Sequence, residues 1–115
     1  MAKRTVATLH QVVTSFRRGI IGRRKSTHMC YRVCAPLASY LHLLDYHVTL
    51  VKGTVRGFEH FWLAMTDGQI IDPTADQFTA PDGSLMPKVY IGKLPLGYTA
   101  ENLVLPGVTN DSIQT

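Results

Sequence analysis

The hydrophobic period changes once along this chain, and the change limits the folds open to it. Up to Leu44 the apolar residues recur at helical spacing. Val6, Leu9, Val12, Val13 and Phe16 form a first stripe, and Cys30, Val33, Leu37, Leu41 and Leu44 form a second, set 3, 4, 4 and 3 apart. From Val48 onward the runs are short, β-branched or aromatic, and bounded by turn residues: 48–56, 60–65 and 69–72. Helices first and strands after, without βαβ alternation, predict an α+β fold with helices packed on a small antiparallel sheet.

The boundaries follow from local chemistry. The first helix is predicted over 5–18, with Thr5 as its cap, Arg17 and Arg18 suiting its C-terminus, and Gly19 ending it. Residues 19–28 read as a loop. Pro36 crowds the carbonyl four residues back and has no N–H. The second helix therefore begins either near Ala35, or near Cys30 with a bend at Pro36; the bent form is the expectation. Asp45, Tyr46 and His47 connect it to the first strand, where Gly53 is a candidate bulge. Thr66-Asp67-Gly68 is a hairpin signal, and Pro73 closes the third strand. Five of the six prolines lie at or beyond Pro73, so 79–115 is expected to form an irregular flap with short strands at 88–91 and 103–105.

Composition excludes several classes. With 115 residues, 45% hydrophobic and 17% charged, the chain is expected to be a single domain over 1–115, too apolar to be disordered. No apolar run reaches the ~20 residues of a membrane span, and Met1-Ala2-Lys3-Arg4 is not followed by a secretory apolar block. Two cysteines cannot make a disulfide framework. The expectation is a soluble cytoplasmic protein with reduced thiols and no membrane partner. The net charge of +4 is uneven: residues 1–44 hold eight basic and no acidic side chains, and residues 45–115 hold four basic and eight acidic ones, +8 and −4. The basic half either pairs with the acidic half inside one fold or presents a surface to an acidic partner or nucleic acid.

Three residues form a chemical set: Cys30 at a helix start, His60 at a strand start and Asp72 at the end of the next strand. A helix N-terminus and a neighbouring imidazolium favour the thiolate. The imidazole takes and returns the proton, a carboxylate fixes its tautomer, and the amide at the helix start can meet a developing oxyanion. The hairpin tests the set. A two-residue loop would pair Leu63 with Asp72 and put Asp72 on the face opposite His60. A three-residue loop, Thr66-Asp67-Gly68, pairs Met65 with Gln69 and Trp62 with Asp72, making Asp72 diagonal to His60 at about 7–8 Å. Glycine favours the left-handed third position of such loops, where Gly68 falls, so the three-residue loop is predicted.

The run Cys30-Tyr31-Arg32-Val33-Cys34 resembles the nucleophile segment of papain-like enzymes: cysteine, aromatic, two residues, small residue. The run His60-Phe61-Trp62-Leu63, then Asp67-Gly68, then Asp72-Pro73-Thr74 is similar to the transglutaminase-like core, in which a His-x-Trp strand precedes a strand ending Asp-Pro-Thr. The likeness covers about residues 26–78. It implies a transglutaminase/papain-like core with Cys30 as nucleophile, His60 as general base and acid, and Asp72 as orienting carboxylate. It implies a thiol hydrolase or acyl transferase (protease, deamidase or transglutaminase-like) acting on an amide of a peptide or protein substrate. One feature departs from the pattern. Papain-like enzymes carry a glutamine just before the nucleophile as second oxyanion donor, whereas here the stretch reads Arg23-Arg24-Lys25-Ser26-Thr27-His28. Gln11, Ser26 and Thr27 are the candidates for that role.

Each residue also has an ordinary reading. Cys30 can be a small buried hydrophobe, His60 a satisfied strand histidine, Asp72 a cap on Pro73-Thr74, and Trp62 core, although beside His60 it could shield the Asp–His pair. Cys34 competes as nucleophile because it precedes Pro36, and Asp76 is the alternate carboxylate. Gln77 and Phe78 could pack or bond beneath the site, while His10, His42 and His47 are read as structural, without partners. His28, Cys30, Cys34 and His60 make a poor zinc set, since Cys-x3-Cys within one helix is the wrong spacing. No glycine-rich phosphate loop is present, so no cofactor is implied. The alternative function is a non-catalytic binding module on the same fold, using its basic N-terminal half.

Overall fold

The computed structural model describes residues 6–25 and 27–104. Two helices, α1 (Val6–Ile21) and α2 (Cys30–Leu43), precede the strands β1 (Val48–Val55), β2 (Phe58–Met65) and β3 (Ile70–Asp72). A 3-10 turn (Ala75–Gln77), then β4 (Tyr90–Gly92) and β5 (Tyr98–Val104), complete the described chain. The result is a small α+β domain with a five-stranded antiparallel sheet in the order β4-β3-β2-β1-β5.

α1 runs past the predicted stop. It continues through Gly19 to Ile21, and the left-handed residue that ends it is Gly22, φ 61°, whose N–H donates to the Arg18 carbonyl at 2.8 Å. An interior glycine costs about 1 kcal/mol. Carrying the helix past it lets Ile21 bury against Met29 and Val33, and burying such a side chain returns about 1.5–3 kcal/mol. The predicted Thr5 cap lies outside the described residues.

α2 begins at Cys30 and contains Pro36. Pro36 is exposed, as is Arg32, whose carbonyl it deprives of a donor, so the lost hydrogen bond falls on the solvent side of the helix. The opposite face (Val33, Cys34, Leu37, Ala38, Leu41) is buried.

Both hairpins obey their turn chemistry. Arg56 and Gly57, φ 51° and 88°, make the two-residue turn between β1 and β2, pairing Val55 with Phe58. Between β2 and β3, Met65 N–H donates to the Gln69 carbonyl at 2.8 Å, Gly68 has φ 89°, and Leu63 pairs with Ile71. This is the three-residue loop; continued one residue, its register sets Asp72 opposite Trp62.

The region beyond residue 79 is not a loose flap. β5 is seven residues long and pairs with β1 along most of its length. The expected strand at 88–91 is Tyr90–Gly92, and the one at 103–105 is the end of β5, with Leu105 outside the described residues. The bulge is real but lies on the partner strand. Gly53 pairs with Ala100 and Lys52 with Asn102, leaving Glu101 as the extra residue. Gly53 serves for space instead: a Cβ there would sit 2.2 Å from the Thr99 carbonyl oxygen and 2.4 Å from the Trp62 ring.

The sheet has two apolar faces. Val48, Leu50, Leu63 and Ile71 pack under the helices with Leu9, Val13, Cys34, Leu37 and Leu41. Val51, Val55, Trp62, Ile70 and Tyr98 form a second cluster. Strand alternation places His60 and Asp72 with this second cluster. No helix among the described residues is long and apolar enough to cross a membrane.

Candidate active site

His60 and Asp72 are both fully buried, and His60 Nε2 lies 2.8 Å from Asp72 Oδ2. Their closeness follows from the diagonal register of the hairpin. Asp72 is held from three further directions. Tyr98 O–H donates to Oδ2 at 2.6 Å, while the Thr74 N–H and hydroxyl donate to Oδ1 at 3.0 and 3.5 Å. Gln77 Nε2 in turn donates to the Thr74 carbonyl and hydroxyl at 3.2 and 3.1 Å. Aromatic rings close over the imidazole: Phe78 meets it edge-on at 4.8 Å between centroids, with Tyr98 at 6.0 Å and Trp62 at 6.1 Å. Water is thus kept from the His–Asp pair, and Trp62 is both core and shield.

The Tyr98 contact also reports the curl of the sheet. β5 and β3 are three strand intervals apart, roughly 14 Å on a flat sheet. A 2.6 Å hydrogen bond across that gap requires the sheet to curl, concave on the His60 face. The Glu101 bulge and the missing side chain at Gly53 both permit it.

Cys30 is the first residue of α2 and half-buried. The N-cap position, Met29, offers no side-chain acceptor and the first turn holds no acid, so the positive end of the helix faces the thiol. Burial by itself pushes the Cys30 thiol up. The proximity and charge of His60, and the backbone N–H groups of Phe61 and Tyr31, outweigh it, and the net shift is downward from 9.0. Burial likewise depresses His60, but Asp72 first and Cys30 second overcome it and raise the imidazole to about 9. The two shifts favour a thiolate–imidazolium pair. With Nε2 on Asp72, Nδ1 is the nitrogen left for Cys30. It is buried without a closed hydrogen bond, so thiol and imidazole couple electrostatically while the Sγ–Nδ1 bond is not drawn tight. The pair meets at an edge: Cys30 comes from the helix layer, His60 from the other face, beside the part of β2 that β3 is too short to cover.

Cys34 is not in the cleft. It is fully buried under α2, donates to the Phe61 carbonyl at 3.5 Å, and burial pushes its thiol well up, with the charges of Asp72 and Cys30 adding to the rise. Asp76 is not the carboxylate of the pair either; it accepts from Arg17 Nη2 at 3.2 Å. Gln11 lines a groove with Phe16 and Tyr40 between the helices, apart from the cysteine, and Ser26 lies outside the described residues. Thr27 does line the cysteine cleft, a cavity of about 530 Å³ shared with Tyr31, Phe58, Phe61 and Phe78. Gln77 lines it as well, but its Nε2 is spent on Thr74 and its Oε1 accepts from His28 N–H at 3.4 Å. His10 and His42 are not partnerless: His10 Nδ1 lies 3.3 Å from the Thr14 hydroxyl, and His42 Nε2 lies 2.9 Å from the Val48 carbonyl. His42 also packs on His47. No group of three or more His, Cys, Asp or Glu among the described residues is placed to hold a metal ion.

Tyr98 is the site residue that sequence reasoning missed. Its strand was hidden because the bulge at Glu101 breaks the two-residue alternation that marks a strand. Comparison with known proteins found no matching family model, no matching curated protein and no matching solved structure.

Proposed function

We propose that this protein is a cysteine-dependent hydrolase or acyl transferase, cytoplasmic and built on a transglutaminase/papain-like core, acting on an amide of a peptide or protein. The observation that carries the reading is the fully buried His60–Asp72 pair, held at 2.8 Å and coupled to a cysteine whose pKa is lowered at a helix start. The Cys30 thiolate attacks the amide carbonyl carbon, forming the C–S bond and driving the carbonyl electrons onto oxygen. The Cys30 amide at the positive end of α2 faces that oxyanion, and the Thr27 hydroxyl is in the same cleft. His60 delivers its proton to the leaving amine as the C–N bond breaks. Asp72, itself tied by Tyr98 and Thr74, keeps the imidazole oriented. The thioester then passes to water or to an amine, with His60 taking the acceptor's proton. The four aromatic side chains lining the cleft favour an apolar or aromatic group beside the scissile amide.

The test is the rate of iodoacetamide alkylation as a function of pH, read by intact mass and peptide mapping. Cys30 is expected to label faster than a free thiol at pH 7, with an inflection below the ordinary thiol range, while Cys34 stays unlabelled. Labelling of Cys30 no faster than free cysteine would overturn the reading in favour of a binding module.

A further inference from the structure

A second cavity, about 340 Å³, lies at the C-terminal end of α1 and is lined by Arg17, Arg18, Arg23, Arg24, Lys25 and Lys88, with Asp76 the acid on its wall. Cations at a helix C-terminus have an ordinary use, which is to offset its partial negative charge. Arg24 serves that use, donating to the carbonyls of Ile20 and Ile21. The others do not. The side chains of Arg18, Arg23, Lys25 and Lys88 have no hydrogen-bond or ion-pair partner among the described residues. Arg17 is the most telling. It is only 8% exposed and meets Asp76 through Nη2 alone, and both its Nε and the Oδ1 of Asp76 are buried without a partner, so the pair is not closed into a two-pronged one. A buried guanidinium ordinarily uses its fork on two acceptors, and a buried donor left unpaired is costly.

This basic cavity shares its wall with the cysteine cleft. In the loop after α1, Arg23, Arg24 and Lys25 line the basic side while Thr27 and His28 line the cysteine side. In the 3-10 turn, Asp76 faces the basic side and its neighbour Gln77 the cysteine side. The His28–Gln77 hydrogen bond joins the two segments. From these positions we infer that the basic cavity is a specificity subsite for an acidic side chain, aspartate or glutamate, of the polypeptide whose amide is presented to Cys30. The inference rests on the function proposed above and names what that site selects. A carboxylate supplies the planar pair of acceptors that guanidinium groups match. A nucleic-acid strand is the weaker fit, because the basic wall holds no aromatic ring on which a base could stack.

The experiment uses bromoacetyl peptides that alkylate Cys30 with loss of bromide. One glutamate is placed at successive distances from the reactive group, and each peptide is compared with its glutamine isostere. At one placement the glutamate peptide is expected to label Cys30 about tenfold faster, a preference that shrinks at high salt. In Arg23→Ala/Lys25→Ala the ratio is expected to fall towards one, and in Arg23→Glu/Lys25→Glu a lysine peptide is expected to overtake the glutamate peptide. Equal glutamate and glutamine rates at every placement, with iodoacetamide labelling still fast, would overturn the subsite and leave the catalytic reading intact. Slow iodoacetamide labelling would overturn the catalytic reading instead. Binding of fluorescent glutamate and glutamine peptides to Cys30→Ala, followed by anisotropy, then still decides whether the cavity selects a carboxylate. An RNA oligonucleotide that binds Cys30→Ala more tightly than any glutamate peptide, and loses affinity in the alanine double variant, would also overturn the subsite.

Discussion

Asp72 receives four donors from three residues, and removing one redistributes the rest. Tyr98 and His60 share its Oδ2 oxygen. In Tyr98→Phe the carboxylate loses a charge-assisted hydrogen bond, with an expected cost of about 1.5–3 kcal/mol in urea unfolding. The charge then falls more fully on His60, so its imidazole should titrate above its present value of about 9, an increase that NMR of the ring protons would read. In His60→Ala the largest interactions that lower Cys30 are gone, and burial is opposed only by the backbone N–H groups of Phe61 and Tyr31. The thiol is expected to rise, and iodoacetamide labelling at pH 7 to slow by at least about tenfold, one pKa unit being a factor of ten in thiolate. Cys30, His60 and Asp72 were legible as a set because their neighbours were: a helix period behind the cysteine, and a loop whose glycine fixes strand parity. Tyr98 was not, since its link to Asp72 depends on curvature across three strand intervals, which no spacing in the chain encodes.

The elements divide in the same way. The two helices and the β2–β3 hairpin follow from period and turn residues, both of which act over a few positions, whereas Arg56 reads as the end of a strand and is in fact the first residue of the β1–β2 turn, with β2 starting at Phe58. The end of α1 does not, because Gly19 reads as a stop until the burial of Ile21 against α2 is weighed. Gly53 read as a bulge, yet the extra residue belongs to β5, and the glycine is demanded by the Trp62 ring and the Thr99 carbonyl. Gly53→Ala is therefore expected to force apart β1, β5 and Trp62 at a cost of about 1–3 kcal/mol. Thermal unfolding should register a fall in Tm of about 4 °C or more. Gly22→Ala, at a position with open space but φ 61°, should cost less, and chiefly through the backbone.

At the scale of the whole molecule, the buried histidine makes stability depend on pH. His60 rises from 6.5 unfolded to about 9 folded, so the folded state holds the extra proton between those values. The stabilisation is fully present below about pH 6.5 and is lost as pH rises through about 9. Urea unfolding from pH 6 to 10 is expected to show that decline, and it should flatten in His60→Ala. The uneven charge of the two halves, plain in the sequence, is only partly neutralised among the described residues: Arg17 reaches Asp76, while the side chains of Arg18, Arg23, Lys25 and Lys88 around it have no ion-pair partner there. The sheet order β4-β3-β2-β1-β5 also has a temporal side. A ribosome releases the thiol, the imidazole and the carboxylate before the phenol that binds the carboxylate, so a half-made chain holds the first three without the fourth. The carboxylate's set of donors is therefore complete only once β5 has docked, which makes the buried pair a late product of assembly.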